Sequence, residues 1–142
     1  MAAFDEAFPD QNPPWVAPMV TLRDVAIAMA TSGRGAILVK SPLGPFSMVT
    51  ARDVIEAVAA GVDPDLVWAS DVARSAPPTV GCAWRASEIG AVMVRGRDEV
   101  VVVVDEGIPI ALTSALDVLE AVLGRSEQNE QNEQNEEGGP GN

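Results

Sequence analysis

At 142 residues, with 47% hydrophobic and 21% charged side chains, the chain can build one ordinary core or two small packed subdomains, and it is too apolar to be wholly disordered. No run is long enough for a transmembrane helix, the acidic start is unlike a signal peptide, and a lone cysteine, Cys82, cannot form an intrachain disulfide, so a cytoplasmic location is expected. The net charge of −12 is concentrated at the ends: 126–142 and 1–14 carry eight acids and no base, and 15–125 is only mildly acidic, which argues against nucleic acid polymers and anionic membranes as partners.

Missing residue types narrow the chemistry further. Histidine and tyrosine are absent and Lys40 is the only lysine, so histidine-based catalysis and a Walker-type phosphate loop are excluded. The expectation is that the chain is not an enzyme and has no metal site and no required cofactor.

In chain order, residues 1–12 read as a flexible arm carrying Phe4 and Phe8. Pro13-Pro14 leads an extended start, Val16 to Val20, and then a helix with Leu22, Val25, Ala26 and Met29 on one face, closed at Gly33-Arg34. A buried strand, 36–39, passes through the turn Ser41-Pro42-Leu43-Gly44 to a second strand, 46–49, and a helix over 51–60. Residues 61–76 read as a linker, in which Asp63-x-Asp65 marks a proline turn. The same series then returns: an extended start from Val80 to Trp84, a helix with Ala86, Ile89, Gly90 and Met93 closed at Gly96-Arg97, and the five-valine strand 100–104. Asp105-Glu106-Gly107 signals a tight hairpin, followed by a strand over 108–113 and a helix over 115–123. Residues 125–142 repeat Glu-Gln-Asn, hold nothing apolar, and are expected to be a disordered acidic tail.

This recurrence is an internal duplication with a constant offset of 64 residues. Aligning 13–58 with 77–122 makes 12 of 46 positions identical without a gap, including Met29 with Met93, Val39 with Val103, and Asp53-Val54 with Asp117-Val118. The repeat unit reads β-α-β-β-α. One copy has too little core to stand alone, so the expected α/β architecture is a pseudo-twofold pair, 13–60 and 77–124.

The residues Met48-Val49-Thr50-Ala51-Arg52-Asp53-Val54 and Leu112-Thr113-Ser114-Ala115-Leu116-Asp117-Val118, with Ser70-Asp71-Val72 before the second copy and the turn Asp105-Glu106-Gly107, give the chain a resemblance to the CBS-domain pair, or Bateman module, in stand-alone form. The resemblance covers about 13–123. It implies a module with two clefts that take an adenosine-containing ligand: AMP, ADP, ATP or S-adenosylmethionine. It also implies that Thr50 and Asp53 serve one cleft and Ser114 and Asp117 the other, hydroxyl toward phosphate and carboxylate toward ribose. Adenine would rest against Trp15-Val16 and Thr79-Val80, two modules would pair as a homodimer, and the module would regulate another, unknown protein. The family commonly has glycine three residues before the hydroxyl, where this chain has Ser47 and Ala111.

The residues support that picture on physical grounds, because a strand running directly into a helix points free N–H groups and the positive end of the helix dipole at a cleft. Arg52 adds a cation in the first copy, where the second has Leu116. Each Thr/Ser-x-x-Asp is equally a helix cap, Arg52 can pair with Glu56 one turn on, and Cys82 reads as a small hydrophobe. The alternative is a CBS scaffold that needs no ligand and serves dimerisation or protein docking.

Overall fold

The computed structural model describes residues 13–41 and 44–124; the arm 1–12, the turn residues Pro42 and Leu43 and the tail 125–142 lie outside the described residues. The first repeat runs β1 (Trp15–Val16), α1 (Leu22–Ser32), β2 (Ala36–Val39), β3 (Ser47–Thr50) and α2 (Ala51–Ala59). A short helix, α3 (Ala69–Val72), lies in the joining segment. The second repeat runs β4 (Thr79–Gly81), α4 (Ala86–Gly96), β5 (Val100–Asp105), β6 (Ile108–Ser114) and a helix α5 over 115–124. The unit is therefore β-α-β-β-α, twice.

Each repeat builds its own three-stranded sheet, β1-β2-β3 and β4-β5-β6, with the first pair parallel and the second antiparallel. The duplication extends to the hydrogen-bond register. Trp15 lies opposite Leu38 as Thr79 lies opposite Val102, and Ala36 opposite Thr50 as Val100 opposite Ser114, each pair displaced by the same 64 residues. A one-residue slip would turn every side chain of a strand to the other face, so sequence spacing and register could not have drifted apart.

Strand alternation explains the continuous apolar runs. In β2, Ile37 and Val39 join Val25 and Met29 of α1, together with Val49 and Ala69. The intervening Ala36 and Leu38 face the other way and meet Phe46, Met48, Val102 and Leu112. In β5, Val101 and Val103 pack with Ile89 and Met93 of α4 while Val102 faces the first repeat. A strand covered on both sides has no polar face to alternate with, which is why these two runs read as unbroken hydrophobics. The layer containing Leu38, Met48, Val102 and Leu112 belongs to neither repeat alone and holds the two together.

The helix boundaries follow local chemistry. Thr21 caps α1, its Oγ1 accepting from the Asp24 amide at 3.2 Å, and Gly33 closes it in the left-handed region at φ 69°. The second helix departs from expectation at this point. Gly96 remains helical and Arg97 takes the left-handed turn at φ 54°. The offset of 64 explains this, since Arg97 stands where the first copy has Gly33 and Gly96 comes one position early. The extended starts are also shorter than their apolar content predicts. Pro18 has no amide to donate to a sheet, and the chain turns at Val20 N–H to Ala17 O; in the second copy Trp84 turns back onto Gly81. The hairpin between β5 and β6 is as expected, with Glu106 and Gly107 both at positive φ.

The joining segment is wrapped onto the first repeat. Asp63 Oδ1 accepts from the Asp65 amide at 2.9 Å, and the Asp65 carboxylate receives the Arg23 Nε and Nη2 at 2.6 and 3.0 Å. Leu22 and Ala69 each donate a backbone bond across the junction, to Val67 O and Val20 O, and the side chain of Ala69 enters the first core.

Candidate functional site

Both strand-to-helix junctions carry the same construction. Thr50 ends β3 and caps α2: its amide donates to Asp53 Oδ2 at 2.8 Å, and the Asp53 amide donates to Thr50 Oγ1 at 3.1 Å. Ser114 ends β6 and caps α5 in the same way, with 2.9 Å to Asp117 Oδ2 and 3.1 Å back to Ser114 Oγ. These are reciprocal capping boxes. Each leaves the hydroxyl hydrogen for a ligand, and the second box also leaves the other oxygen of Asp117, so capping and recognition are compatible. The first amide of each helix is held by the residue that precedes the neighbouring strand, Ala51 by Gly35 O and Ala115 by Glu99 O.

The two junctions open into one cleft of about 770 Å³, bordered by Thr50, Arg52, Arg74, Arg97, Asp98 and Ser114 among others. A smaller recess of about 330 Å³ adjoins it and is lined from both repeats, by Gly33 and Arg34 of the first and by Ser114, Leu116 and Asp117 of the second. A third, of about 360 Å³, lies at the other end of β2 between Trp15, Lys40 and Pro45. Thus Thr50, Arg52 and Ser114 meet in one place and Asp117 stands next to it. Asp53 lies behind Thr50, with its side chain only 14% exposed, and does not border the cleft. Val80 is buried in the second core and Val16 packs against the first; neither they nor the exposed Thr79 line any of these three recesses. Ala111 is buried in the second core and Ser47 pairs with Val39 at the far end of β3 from Thr50, so neither Cβ narrows the cleft.

Electrostatically the cleft is mixed with a basic tilt. Arg52, Arg74 and Arg97 border it, and both helices turn their positive ends toward it. Asp98 and Glu99 are the acids in the lining. Arg52 is also paired with Glu56, Nε to Oε1 at 3.0 Å, on an exposed helix face, as its spacing predicts. Arg74 and Asp98 are the functional candidates that sequence reading missed. Arg74 sits in the joining segment, outside the duplicated units, so no repeat position marks it; Asp98 follows a helix end and carries no motif. Their ion pair, Nη1 to Oδ1 at 3.3 Å, spans the two repeats.

Chemically, two helix N-termini, two hydroxyls and three guanidinium groups suit a phosphate-bearing ligand, and a carboxylate beside them suits a diol. Among the described residues no cluster of histidine, cysteine, aspartate or glutamate is arranged to hold a metal, and no helix is long and apolar enough to cross a membrane.

No family model and no curated protein matches the chain. Solved structures do match. A protein with CBS domains from Burkholderia ambifaria is 21% identical with a TM-score of 0.79, over 87% of this chain and 95% of that one. A CBS-domain protein from Pyrobaculum aerophilum, complexed with AMP, is 27% identical with a TM-score of 0.72, over 82% and 89%. A hexameric CBS-CP12 protein from bloom-forming cyanobacteria is 19% identical with a TM-score of 0.76, over 83% and 66%. With the duplicated β-α-β-β-α units in matching register, these likenesses identify the chain as a CBS-domain pair in fold.

Proposed function

We propose that the module binds an adenosine-containing nucleotide in the cleft between its repeats and regulates a partner by doing so. The observation that carries this reading is the convergence of Thr50 and Ser114, each capping a helix, on a cleft edged by Arg52, Arg74 and Arg97. The AMP complex of the Pyrobaculum protein, which shares the fold, supports adenosine as the nucleoside. In this reading the role is binding in the cytoplasm, not catalysis, and ligand acts through its different affinities for two arrangements of the repeats or of two modules.

A homodimer is part of the proposal. α2 exposes Ile55 and Val58, and α5 exposes Leu119 and Val122, residues related by the same offset of 64 and between 45% and 65% exposed. Two apolar helix faces related by a pseudo-twofold favour a second copy of the chain as the occupant. The hexameric assembly of the cyanobacterial protein supports self-association in this fold. The same faces favour the second reading, a scaffold that dimerises or docks a protein without a ligand.

Melting curves with millimolar AMP, ADP, ATP and S-adenosylmethionine separate the two. A ligand at 100 times its dissociation constant stabilises the folded state by about 2.7 kcal/mol. Asp117→Ala should weaken binding directly, and Asp53→Ala less so, through the Thr50 cap that Asp53 holds from behind. Flat curves with all four compounds favour the scaffold.

A further inference from the structure

Arg74 is tied to the first repeat by its backbone: Met48 N–H donates to Arg74 O at 3.1 Å, and Arg74 N–H to Met48 O at 2.8 Å. From that fixed point its side chain crosses toward the second repeat. Nη1 is 3.3 Å from Asp98 Oδ1, and Nε is 3.9 Å from Asp53 Oδ1. The two acidic side chains are each only 14% exposed, whereas the arginine side chain is 43% exposed and faces the cleft. Both acids are largely shielded from water: Asp53 is held by the Thr50 amide as well as facing this guanidinium, whereas Asp98 takes its side-chain hydrogen bond from it, and the guanidinium retains donors on its open side. A carboxylate and a phosphate are equivalent partners for arginine, both accepting charge-assisted hydrogen bonds from the same planar fork. Asp98 thus places an internal anion on the cation that an incoming phosphate would seek, between the two helix N-termini.

We propose that Asp98 and the phosphate of a ligand compete for Arg74, so that a phosphorylated ligand binds by drawing Arg74 away from Asp98 and thereby loosens the ion pair that ties the repeats together. This inference rests on the cleft accepting a phosphorylated ligand. It makes Arg74 a phosphate-selecting residue and Asp98 a positioning residue that acts through it. A neutral nucleoside leaves the pair intact and gains nothing from its removal. Each additional phosphate charge improves the ligand's share of Arg74, which links ligand charge to inter-repeat packing.

The test is calorimetric titration of the full chain with ATP and, separately, adenosine, using wild type, Asp98→Asn, Arg74→Gln and the double variant. Asparagine keeps the volume of Asp98 and still accepts one hydrogen bond from Arg74, and Asp98→Ser serves as a second variant with the same expectation. Removing the competing charge is expected to tighten ATP binding about tenfold while adenosine binding stays unchanged. Arg74→Gln should weaken ATP binding, and in that background Asp98→Asn should have no further effect. An unchanged or weaker ATP affinity in Asp98→Asn overturns the proposal. A gain that persists undiminished without Arg74 also overturns it, because simple repulsion by Asp98 would then account for the effect. If ATP and adenosine bind but the variants do not differ, only this inference falls; if neither binds to any of the proteins, the nucleotide reading falls with it.

Discussion

The two repeats have the same backbone plan and differ in the side chains that face the cleft and the solvent. Positions that set register, pack the shared layer or cap a helix correspond one to one: Leu38 with Val102, Met48 with Leu112, Thr50 with Ser114, Asp53 with Asp117. The charged positions at the cleft edge do not. Arg52 stands against Leu116, and Gly33 against Arg97, which accepts a left-handed backbone that glycine adopts more readily and brings a cation to the cleft edge. Arg74 has no counterpart in either copy. Duplication supplied the frame, and the charges that give the cleft its character lie where the copies diverge.

If the shared layer makes one folding unit of two copies, damage on either side must be felt by both. Leu38 is fully buried between the sheets, and Leu38→Ala should destabilise the whole module by about 3 kcal/mol, with Val102→Ala at the matching position costing about 2. Urea denaturation followed by fluorescence provides the measurement, because Trp15 belongs to the first repeat and Trp84 to the second. One shared transition moving to lower urea is the expected result. Two separate transitions would mean that the repeats fold independently.

A smaller effect isolates one buried atom. Thr113 stands where the first copy has Val49, and both side chains are inaccessible to solvent. Thr113 Oγ1 makes no hydrogen bond among the described residues, whereas valine of nearly the same shape would leave no polar atom behind. Thr113→Val should therefore stabilise the module by about 1 kcal/mol, and Val49→Thr should lower stability by at least as much. Equal loss in both directions would show that the Thr113 hydroxyl has a partner in solution and that the copies differ there for a reason other than packing.

How far the sequence could be read follows the same division. The two apolar strands, the hairpin at Glu106 and Gly107 and the capping residues Thr50, Asp53, Ser114 and Asp117 rest on short-range patterns that short-range physics determines, and the repeat length on a constant offset between two copies of them. The boundaries of the extended starts depended on where Pro18 and Trp84 turn the chain, which apolar content does not reveal. Arg97 was readable once the offset was taken literally at Gly33. Arg74 and Asp98 were not, because an ion pair 24 residues apart in sequence is created by the packing of the repeats and leaves no spacing signature. The convergence of Thr50 and Ser114 on one cleft is likewise a product of the Leu38–Met48–Val102–Leu112 layer, which fixes how the two sheet ends lie.

The smallest effect tests the joining segment against the first repeat. The Arg23 side chain donates two hydrogen bonds to the Asp65 carboxylate, and this contact lowers the Asp65 pKa below its usual value while raising that of Arg23. Because the folded-state pKa of Asp65 is depressed, its contribution is fully present above the ordinary carboxylate range and disappears as pH falls through the lowered value. Both partners are exposed, so water and salt screen the pair and the stability at stake is slight. Asp65→Asn should melt marginally below wild type at neutral pH and low salt. The two melting temperatures should converge in strong acid, and also at neutral pH as salt is added. A gap that survives both treatments would assign the difference to the turn that Asp63 and Asp65 form, and not to the ion pair that fastens this segment to α1.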